Sequence, residues 1–191
     1  MSLPIPTKPW EALSLDFIVE VPPSNGYNTI MVTVDMLTKM AHFVPLKKLP
    51  SSKETAQRLL DHVIKLHGVP SRLVSDRGSQ FVSKFWKALC HILHIDHGYS
   101  SAYRQQTNGQ TERVNQCLEQ YLRCYCTHLQ DNWTTLLPLA EFSYNNATSS
   151  STRYSPFYAN YGFHPNILLE SPLLTNIPSI NDYWSIVMSR T

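Results

Sequence analysis

Three acidic side chains are candidates for chemistry. Asp16 interrupts an alternating apolar run typical of a β-strand, Asp76 follows a short apolar run, and Glu112 opens a helical pattern on the side opposite its apolar stripe. A carboxylate within a strand is costly, because Asp disfavours strands and its charge resists the loss of water. An acid at the end of a strand of a mixed sheet lies where ligands collect. The question is whether these acids hold a ligand.

Each acid also has an ordinary structural explanation. Asp16 would pair with an arginine, Asp76 would cap the turn before Gly78, and Glu112 would interact with a helix N-terminus, which stabilises by about 0.3–1 kcal/mol. Taken together, however, the acids favour a different interpretation. If the strand of Asp16 lies beside the strand that ends at Asp76, the two carboxylates repel. A proton or a hard divalent cation must then lie between them.

The elements that must position these acids begin with three strands. Residues 12–20 alternate, with Leu13, Leu15, Phe17 and Val19 on one face. A hairpin-type turn at 24–27 leads to a continuously apolar strand over 28–37, which is typical of a central strand, and 41–46 is a third strand with Pro45 at an edge. Short turns between these strands indicate an antiparallel meander.

Helices and two further strands follow the meander. Ser51 and Glu54 form a capping box, and Gly68 with Pro70 ends that helix. Apolar residues of the first helix recur at helical spacing at Ala56, Leu59, Leu60, Val63, Ile64 and His67. The next predicted elements are a strand over 71–75, a helix over 79–93, a strand over 94–100 and a polar loop over 101–109. A helix follows that loop, with one apolar stripe formed by Val114, Leu118, Tyr121, Leu122, Tyr125 and Leu129. A further helix, capped by Asp131 and bent near Pro138, runs to about residue 146, and a short helix lies within 151–162.

This order predicts a mixed α/β fold, with a central five-stranded sheet flanked by helices. We expect a linker over 1–10, one domain over 11–165, and a C-terminal linker or tail over 166–191. Apolar residues make up 42% of the 191 residues and charged residues only 16%, a globular composition. No apolar run reaches the roughly 20 residues that span a bilayer, so we expect an intracellular protein without a membrane partner.

Local features add little further chemistry. Four cysteines (Cys90, Cys117, Cys124 and Cys126) form no CxxC pair, and buried or half-buried free thiols are favoured over a disulfide frame or a zinc site. The spacing of His91, His94 and His97 crosses from a helix into a strand, which disfavours a metal cluster. The net charge of +2 means that a nucleic acid would have to bind a local basic patch.

Several long motifs, in order, resemble one known family. These motifs are LSLDFIVEVPPSNGYNTIMVTVDMLTKMAHFVPL, HGVPSRLVSDRGSQFVSKFWKALC, SSAYRQQTNGQTERVNQCLEQYLR and NWTTLLPLAEFSYNNATSSSTRYSPFYANYG. Through them, and over roughly residues 7–165, the chain resembles the integrase core of gypsy-type LTR retrotransposons and retroviruses. The signature of this family is two Asp and a Glu, with thirty-five residues between the second and third acid. Positions 76 and 112 leave thirty-five residues between them.

The resemblance implies a fold, a cofactor and a reaction. The fold is RNase H-like, and Asp16, Asp76 and Glu112 become the catalytic ligands of two Mg²⁺ or Mn²⁺ ions. The reactions are 3′-end processing of element DNA and strand transfer into target DNA, which imply the nucleus as the location. The family also carries an N-terminal zinc module and a C-terminal DNA- or chromatin-binding module, so we expect this chain to correspond to an isolated core.

Contacts with DNA are expected around Glu112. The loop before it carries Arg104, Gln105, Gln106 and Asn108, which are suited to contact a phosphate or a base edge. Asn115 and Gln116 follow one turn later and are expected to line the DNA groove. Lys39, Arg77 and Arg113 are weaker candidates for phosphate contacts, since an ordinary solvated charge explains each.

Isolated cores of this family pair through helices. We expect a homodimer or higher oligomer, with Trp133 and Leu137 exposed on the 131–146 helix as a twofold interface.

Two other functions stay open. A domesticated descendant would bind DNA or protein without catalysis, and the near-neutral charge is compatible with it. A ribonuclease H proper would cut RNA–DNA hybrids, but the thirty-five-residue spacing disfavours it. Divalent-metal titration separates the first of these from an active integrase core, because only the enzyme must respond to Mg²⁺ or Mn²⁺.

Overall fold

A five-stranded mixed sheet forms the centre of the molecule. The computed structural model describes residues 6–99, 105–128 and 131–166, and for residues 105–110 it describes the backbone alone. The strands occur in the order β3-β2-β1-β4-β5. Strand β1 pairs antiparallel with β2 and parallel with β4, β2 pairs antiparallel with β3, and β4 pairs parallel with β5. Their bounds are β1 Ala12–Ile18, β2 Thr29–Asp35, β3 Ala41–Leu46, β4 Arg72–Ser75 and β5 Asp96–Tyr99.

The predicted meander is confirmed by β1, β2 and β3. All seven residues of β2 are buried, as expected for an interior strand, and β3 with Pro45 forms an edge. The turn before β2 has left-handed backbone at Asn25 (φ 50°) and Gly26 (φ 81°), the conformation that Asn-Gly turns favour. Strand β1 ends at Ile18, so Val19 lies outside the strand and is exposed.

Seven α-helices and one π-helical turn are described around the sheet. Helix α1 begins at the predicted capping box of Ser51 and Glu54, and α2 ends at Gly68 (φ 86°). The helical stretch between them contains the π-helical turn, and it leaves Leu60 exposed, although its spacing predicts a core position. The bounds are α1 Ser52–Leu59, the π-helical turn Leu60–Ile64, α2 Lys65–His67, α3 Ser79–Val82, α4 Lys84–Ile92, α5 Gln105–Tyr125, α6 Trp133–Asn146 and α7 Pro156–Tyr161.

The single helix predicted over 79–93 is wrong, because the chain breaks at Ser83. Ser83 has extended backbone (ψ 153°), and its hydroxyl accepts a hydrogen bond from the Trp86 backbone N–H, which starts α4. Phe81 and Trp86 are five residues apart, so a continuous helix would turn them roughly 140° from one another. The break brings both rings into one core, where their centroids lie 5.2 Å apart.

The polar loop predicted over 101–109 is wrong for 105–109, because α5 begins at Gln105. Gly109 inside a helix costs about 1 kcal/mol relative to Ala, which a 21-residue helix packed on the sheet can absorb. At its other end, α5 stops at Tyr125. Leu129, expected on the same stripe, and Arg104 lie outside the described residues.

Helix α6 differs from the prediction at its start and in its exposure. Asp131 does not cap it, because the Asp131 carboxylate accepts a hydrogen bond from the Thr127 hydroxyl and the N-cap position belongs to Asn132. Trp133 and Leu137 are only 1% and 2% exposed, so the exposed twofold interface assigned to them is wrong. The Trp133 indole N–H donates to the Pro22 carbonyl at 2.6 Å, which holds α6 against the end of β1.

Two apolar cores cover the two faces of the sheet. On one face, α5 and α6 pack on β2 and β3 through residues that include Val114, Leu118 and Tyr121. On the other, α1 to α4 and the predicted short helix α7 pack around Leu13, Leu15 and other apolar residues. Cys90 and Cys117 are buried in these cores, Cys126 is half-buried, and Cys124 is exposed. Among the described residues, no helix is long and apolar enough to cross a bilayer.

Candidate active site

Asp16 and Asp76 are brought together by the register of two parallel strands. In the pairing of β1 with β4, Leu15 lies opposite Ser75. Asp16 and Asp76 each follow the last paired residue of their strand, so the two residues lie side by side. Neighbouring strands lie about 4.8 Å apart, and this spacing sets the scale of the separation between the two backbones. The sequence-based expectation that the first and fourth strands are neighbours is therefore confirmed.

The Asp16 side chain is half-buried and held by two hydrogen bonds. Its Oδ1 accepts from the Phe17 backbone N–H at 2.9 Å, and its Oδ2 accepts from Asn115 Nδ2 at 2.8 Å. Burial raises the pKa of the Asp16 carboxyl, and the negative charges of Asp76 and Glu112 raise it further, while the two hydrogen bonds lower it in part. All three acids are therefore electrostatically coupled at Asp16, and this coupling disfavours the ionised form of that group.

Helix α5 is fixed to β1 beside Asp16 by two side-chain contacts. The Thr111 hydroxyl donates to the Ser14 hydroxyl at 2.8 Å, and Asn115 donates to Asp16. Ser14 and Asp16 share one face of β1 because side chains alternate along a strand. Glu112 lies between these two contacts in sequence, and it is exposed.

Glu112 lies two turns inside α5 and not at its N-terminus. The helix begins seven residues earlier, at Gln105, and the effect of the helix dipole falls off within the first turn. Stabilisation of the helix N-terminus therefore does not explain an acid at this position. Its charge instead acts on Asp16.

The segment after β4 holds Asp76 in a tight turn. Asp76 Oδ1 accepts from the Gly78 backbone N–H at 3.0 Å, which is the turn-capping contact that the structural explanation predicts. Beneath it, the Ser75 hydroxyl donates to the Asp76 carbonyl at 2.9 Å and lies 2.9 Å from His97 Nε2. A Cβ atom added at Gly78 would lie 2.5 Å from the Gln80 amide nitrogen, so the turn has no space for a larger residue without a shift of Gln80.

The side chains of Asp16, Asp76 and Glu112 are not arranged to bind a metal ion together without a change of conformation. Within the ranges that the structure describes, no group of three or more His, Cys, Asp or Glu side chains converges closely enough to hold a metal ion. Asp16 and Asp76 each direct one carboxylate oxygen toward a local backbone N–H donor. The donor chemistry nevertheless fits a hard divalent cation, because such ions prefer carboxylate oxygens. Burial first, and then the charges of Asp76 and Glu112, raise the pKa of Asp16, and a bound cation would oppose both effects.

Asn115 is the functional candidate whose role the sequence did not indicate. Its Nδ2 donates to Asp16, while its Oδ1 is buried without a hydrogen-bond partner. A buried amide oxygen without a partner is costly, so the asymmetry suggests that the contact with Asp16 decides the orientation of this side chain. Its position one helical turn after Glu112 was the available signal, but the partner lies 99 residues away in sequence.

The other residues expected to contact DNA fall into different surroundings. Gln116 is exposed on α5, and the backbones of Gln105, Gln106 and Asn108 belong to the first turns of that helix. Among the cationic candidates, Lys39 Nζ donates to the Met36 carbonyl. The Arg77 guanidinium lies 5.8 Å from the centre of the Tyr99 ring, and Arg113 is exposed.

A separate cleft of about 330 Å³ opens beside the last residue of β1 and the segment that follows it. Its lining includes Val21, Leu122, Arg123 and Trp133, and none of the three acids contributes to it. The cleft and the three acids are therefore separate sites.

Comparison with known sequences gives a consistent result. A family model described as "Integrase core domain" matches residues 6–105. The Transposon Tf2-3 polyprotein of Schizosaccharomyces pombe is 40% identical over 181 residues, which cover 94% of this chain and 13% of that polyprotein. The Transposon Tf2-4 polyprotein of the same organism matches to the same extent. The chain thus spans about 13% of the length of these relatives.

Solved structures share the fold at lower sequence identity. The simian T-cell lymphotropic virus intasome, in complex with PP2A regulatory subunit B56 gamma, has a chain with a TM-score of 0.69 and 21% identity. That match covers 90% of this chain and 62% of the other. The HTLV-2 integrase catalytic core domain, in complex with magnesium in a dimeric form, has a TM-score of 0.63 and 21% identity, covering 81% of this chain and 99% of that chain. The RNase H-like fold expected from the sequence is confirmed.

Proposed function

This chain belongs to the integrase core domain family, and from that premise we propose that it is a metal-dependent polynucleotidyl transferase. Its reactions would be 3′-end processing of element DNA and strand transfer into target DNA. The observation that carries the proposal is geometric: the register of β1 and β4 brings Asp16 beside Asp76, and Asn115, one helical turn after Glu112 on α5, donates a hydrogen bond to Asp16. A half-buried carboxylate with two acidic neighbours destabilises the fold unless a cation or proton relieves the repulsion.

The proposed ligands of two Mg²⁺ or Mn²⁺ ions are Asp16, Asp76 and Glu112. When bound, two such ions would stabilise the attacking and the leaving oxygen of an in-line displacement at phosphorus. The HTLV-2 core domain, described as a complex with magnesium, supports a divalent ion here by analogy.

The protein's own part in the reaction is to hold the acids in place. Asn115 donates to one oxygen of Asp16, and the Phe17 N–H binds the other, so this carboxylate has a fixed orientation at the end of β1. The Thr111–Ser14 contact fixes the position of α5 along β1 and thereby the position of Glu112. Water in 3′-end processing and a DNA 3′-hydroxyl in strand transfer are the nucleophiles, so no covalent enzyme intermediate is needed.

DNA is the proposed partner, with element ends and target DNA as substrates. Arg104, Gln105, Gln106 and Asn108 precede Glu112, and Gln116 follows it on the exposed side of α5, so all are proposed to contact the strand that reaches the acids. A homodimer or higher oligomer is proposed, since the HTLV-2 core domain is described in dimeric and trimeric forms. Action on chromosomal DNA would require the protein in the nucleus.

The decisive experiment measures nicking and strand transfer with a labelled duplex that carries the element end. Wild-type protein is expected to give products only with Mg²⁺ or Mn²⁺, and Asp76→Asn is expected to give none while its far-UV circular dichroism stays unchanged. Asp131→Asn is the matched control, because it makes the same change at an exposed position beyond the C-terminal end of α5. Wild-type protein that stays folded, unresponsive to both ions and inactive would refute the proposal and favour a domesticated, non-catalytic descendant.

A further inference from the structure

Two histidines outside the acidic site face each other at one edge of the sheet. His42 lies on β3 and His67 on α2, and their Nε2 atoms are 2.9 Å apart. On its other side, His42 Nδ1 lies 2.9 Å from Glu141 Oε1 on α6. The second oxygen of Glu141 accepts from the Phe43 backbone N–H at 2.7 Å, so this carboxylate is itself held in place.

Both imidazoles are held in a fixed orientation by neighbouring groups. The Trp10 indole stacks on His67 with ring centres 3.8 Å apart and an angle of 4° between the planes. The indole N–H of Trp10 in turn donates to Asn160 on α7 at 3.0 Å. His42 is buried and His67 is half-buried, so the point between the two nitrogens is sheltered while one ring still borders the surface.

The position of His67 depends on an unusual turn. The π-helical turn Leu60–Ile64 immediately precedes α2. One residue more or less would rotate His67 by roughly 100° about the helix axis, away from His42. π-helical turns are rare and are found frequently at functional sites, because they aim a side chain that an ordinary helix would turn elsewhere.

We propose that His42 and His67 form a binding site for a divalent transition metal ion of the Zn²⁺ class, with Glu141 as the carboxylate that orients His42. Imidazole nitrogen is a preferred ligand of such ions, and a ligating histidine commonly donates its other ring N–H to a carboxylate. The Glu141–His42 contact matches that arrangement. Water would supply the remaining ligands. This site is independent of the proposed integrase activity, which uses hard oxygen ligands.

The geometry needs both a tilt and a separation of the two rings. Their ring centres are 5.2 Å apart and their Nε2 atoms 2.9 Å apart, so the rings point directly at each other, and each must tilt by roughly 35° to aim its lone pair at a shared ion. With Zn–N distances of about 2.0–2.1 Å and tetrahedral angles, two ligating nitrogens lie roughly 3.4 Å apart, so the rings would separate by about 0.5 Å. Both Nε2 atoms must offer a lone pair, with the ring proton on Nδ1. One proton now shared between the two Nε2 atoms would move to Nδ1 of His67, so no net proton is released.

The test is a titration of the chain with Zn²⁺ in excess Mg²⁺, so that oxygen ligands are already in use. Long-range ¹H–¹⁵N spectra of the histidine rings give the direct readout. One equivalent of Zn²⁺ is expected to shift the Nε2 resonances of His42 and His67 together and to raise Tm, and EDTA is expected to reverse both effects. Glu141→Gln is expected to weaken binding by about 10–100-fold, the usual effect of losing a carboxylate that orients a ligand.

Two phenylalanine variants make the comparison specific. His67→Phe keeps an aromatic ring against Trp10 and removes the ligand, so it is expected to abolish the Zn²⁺-dependent rise in Tm. His91→Phe makes the same change at an exposed position of α4 and is expected to leave that rise intact. Zinc that shifts no Nε2 resonance of this pair, or that raises the Tm of His67→Phe as much as that of wild type, would overturn the proposal.

Discussion

Replacing Asp16 by asparagine should make the metal-free fold more stable, although Asp16 is a proposed ligand. The half-buried charge disappears, and so does its repulsion by Asp76 and Glu112. The hydrogen bonds can be kept, because the introduced amide still has an oxygen that accepts from the Phe17 N–H. Rotation of the Asn115 amide would then let its buried, unpartnered Oδ1 accept from the NH₂ of the introduced amide.

The magnitude follows from the spacing of the two strands. Two unit charges about 4.8 Å apart interact by roughly 0.9 kcal/mol in bulk water and 3.5 kcal/mol at an effective dielectric constant of 20. Asp76 is exposed, which favours the lower end of this range. A gain of about 1 kcal/mol raises Tm by roughly 2–4 °C for a domain of this size. In EDTA at pH 7, Asp16→Asn is therefore expected to melt a few degrees above wild type.

The gain depends on pH in a defined direction. The folded pKa of Asp16 is raised, so ionisation costs the wild type stability as pH rises through that pKa. Below a pH of about 3.9, where an ordinary Asp is protonated, the two proteins should melt alike. Above the raised folded pKa the whole difference should be present.

Differential scanning calorimetry in EDTA and in Mg²⁺ measures both effects. Mg²⁺ is expected to raise the Tm of wild type and to leave that of Asp16→Asn unchanged. Asp131→Asn, the exposed control, should behave like wild type in both buffers. If Asp16→Asn melts below wild type in EDTA at pH 7, or keeps the full Mg²⁺ response, then the reasoning about a repulsive acidic site is wrong.

Three further predictions concern the site and its support. Glu112→Gln should abolish strand transfer. Because Glu112 is exposed, its free energy of unfolding, measured in urea, should change by no more than about 0.5 kcal/mol, and a much larger loss would mean a structural role. Trp133→Ala should lower the free energy of unfolding by about 3–5 kcal/mol, since the indole is buried and donates to Pro22, and a loss below 1 kcal/mol would contradict its place in the core. Ser83→Ala should cost about 1 kcal/mol in the same urea assay through the lost cap of α4, whereas an unchanged midpoint would argue for one continuous helix over 79–93.

The sheet and the pairing of two acids could be predicted because their signals are local. Alternation in β1, the Asn-Gly turn and the Ser51 capping box are each read from a few neighbouring residues, and side-chain alternation then fixes which face a strand residue takes. The apolar residues of 71–75 identified β4, and a mixed sheet of this order brings β4 beside β1. Asp16 and Asp76 follow from that step.

The predictions that proved wrong concern residues whose local structure is decided by distant parts of the chain. Phe81 and Trp86 are spaced incorrectly for one helix face, which was a usable signal for the break at Ser83, but only their shared core explains it. Burial of Trp133 and Leu137 depends on the β1 end and α5, which no local pattern of α6 reveals. The Asn115–Asp16 and His42–His67 contacts join residues far apart in sequence, so residue type alone could not identify them.

Joint binding of a divalent cation by Asp16, Asp76 and Glu112 is the step on which the proposed reaction depends. A crystal soaked in Mn²⁺ and measured for anomalous scattering shows whether this binding occurs. We expect anomalous density between the three carboxylates, with the Asp16 and Asp76 side chains rotated toward it. Well-ordered carboxylates at saturating Mn²⁺, without anomalous density between them, would refute the proposed metal site.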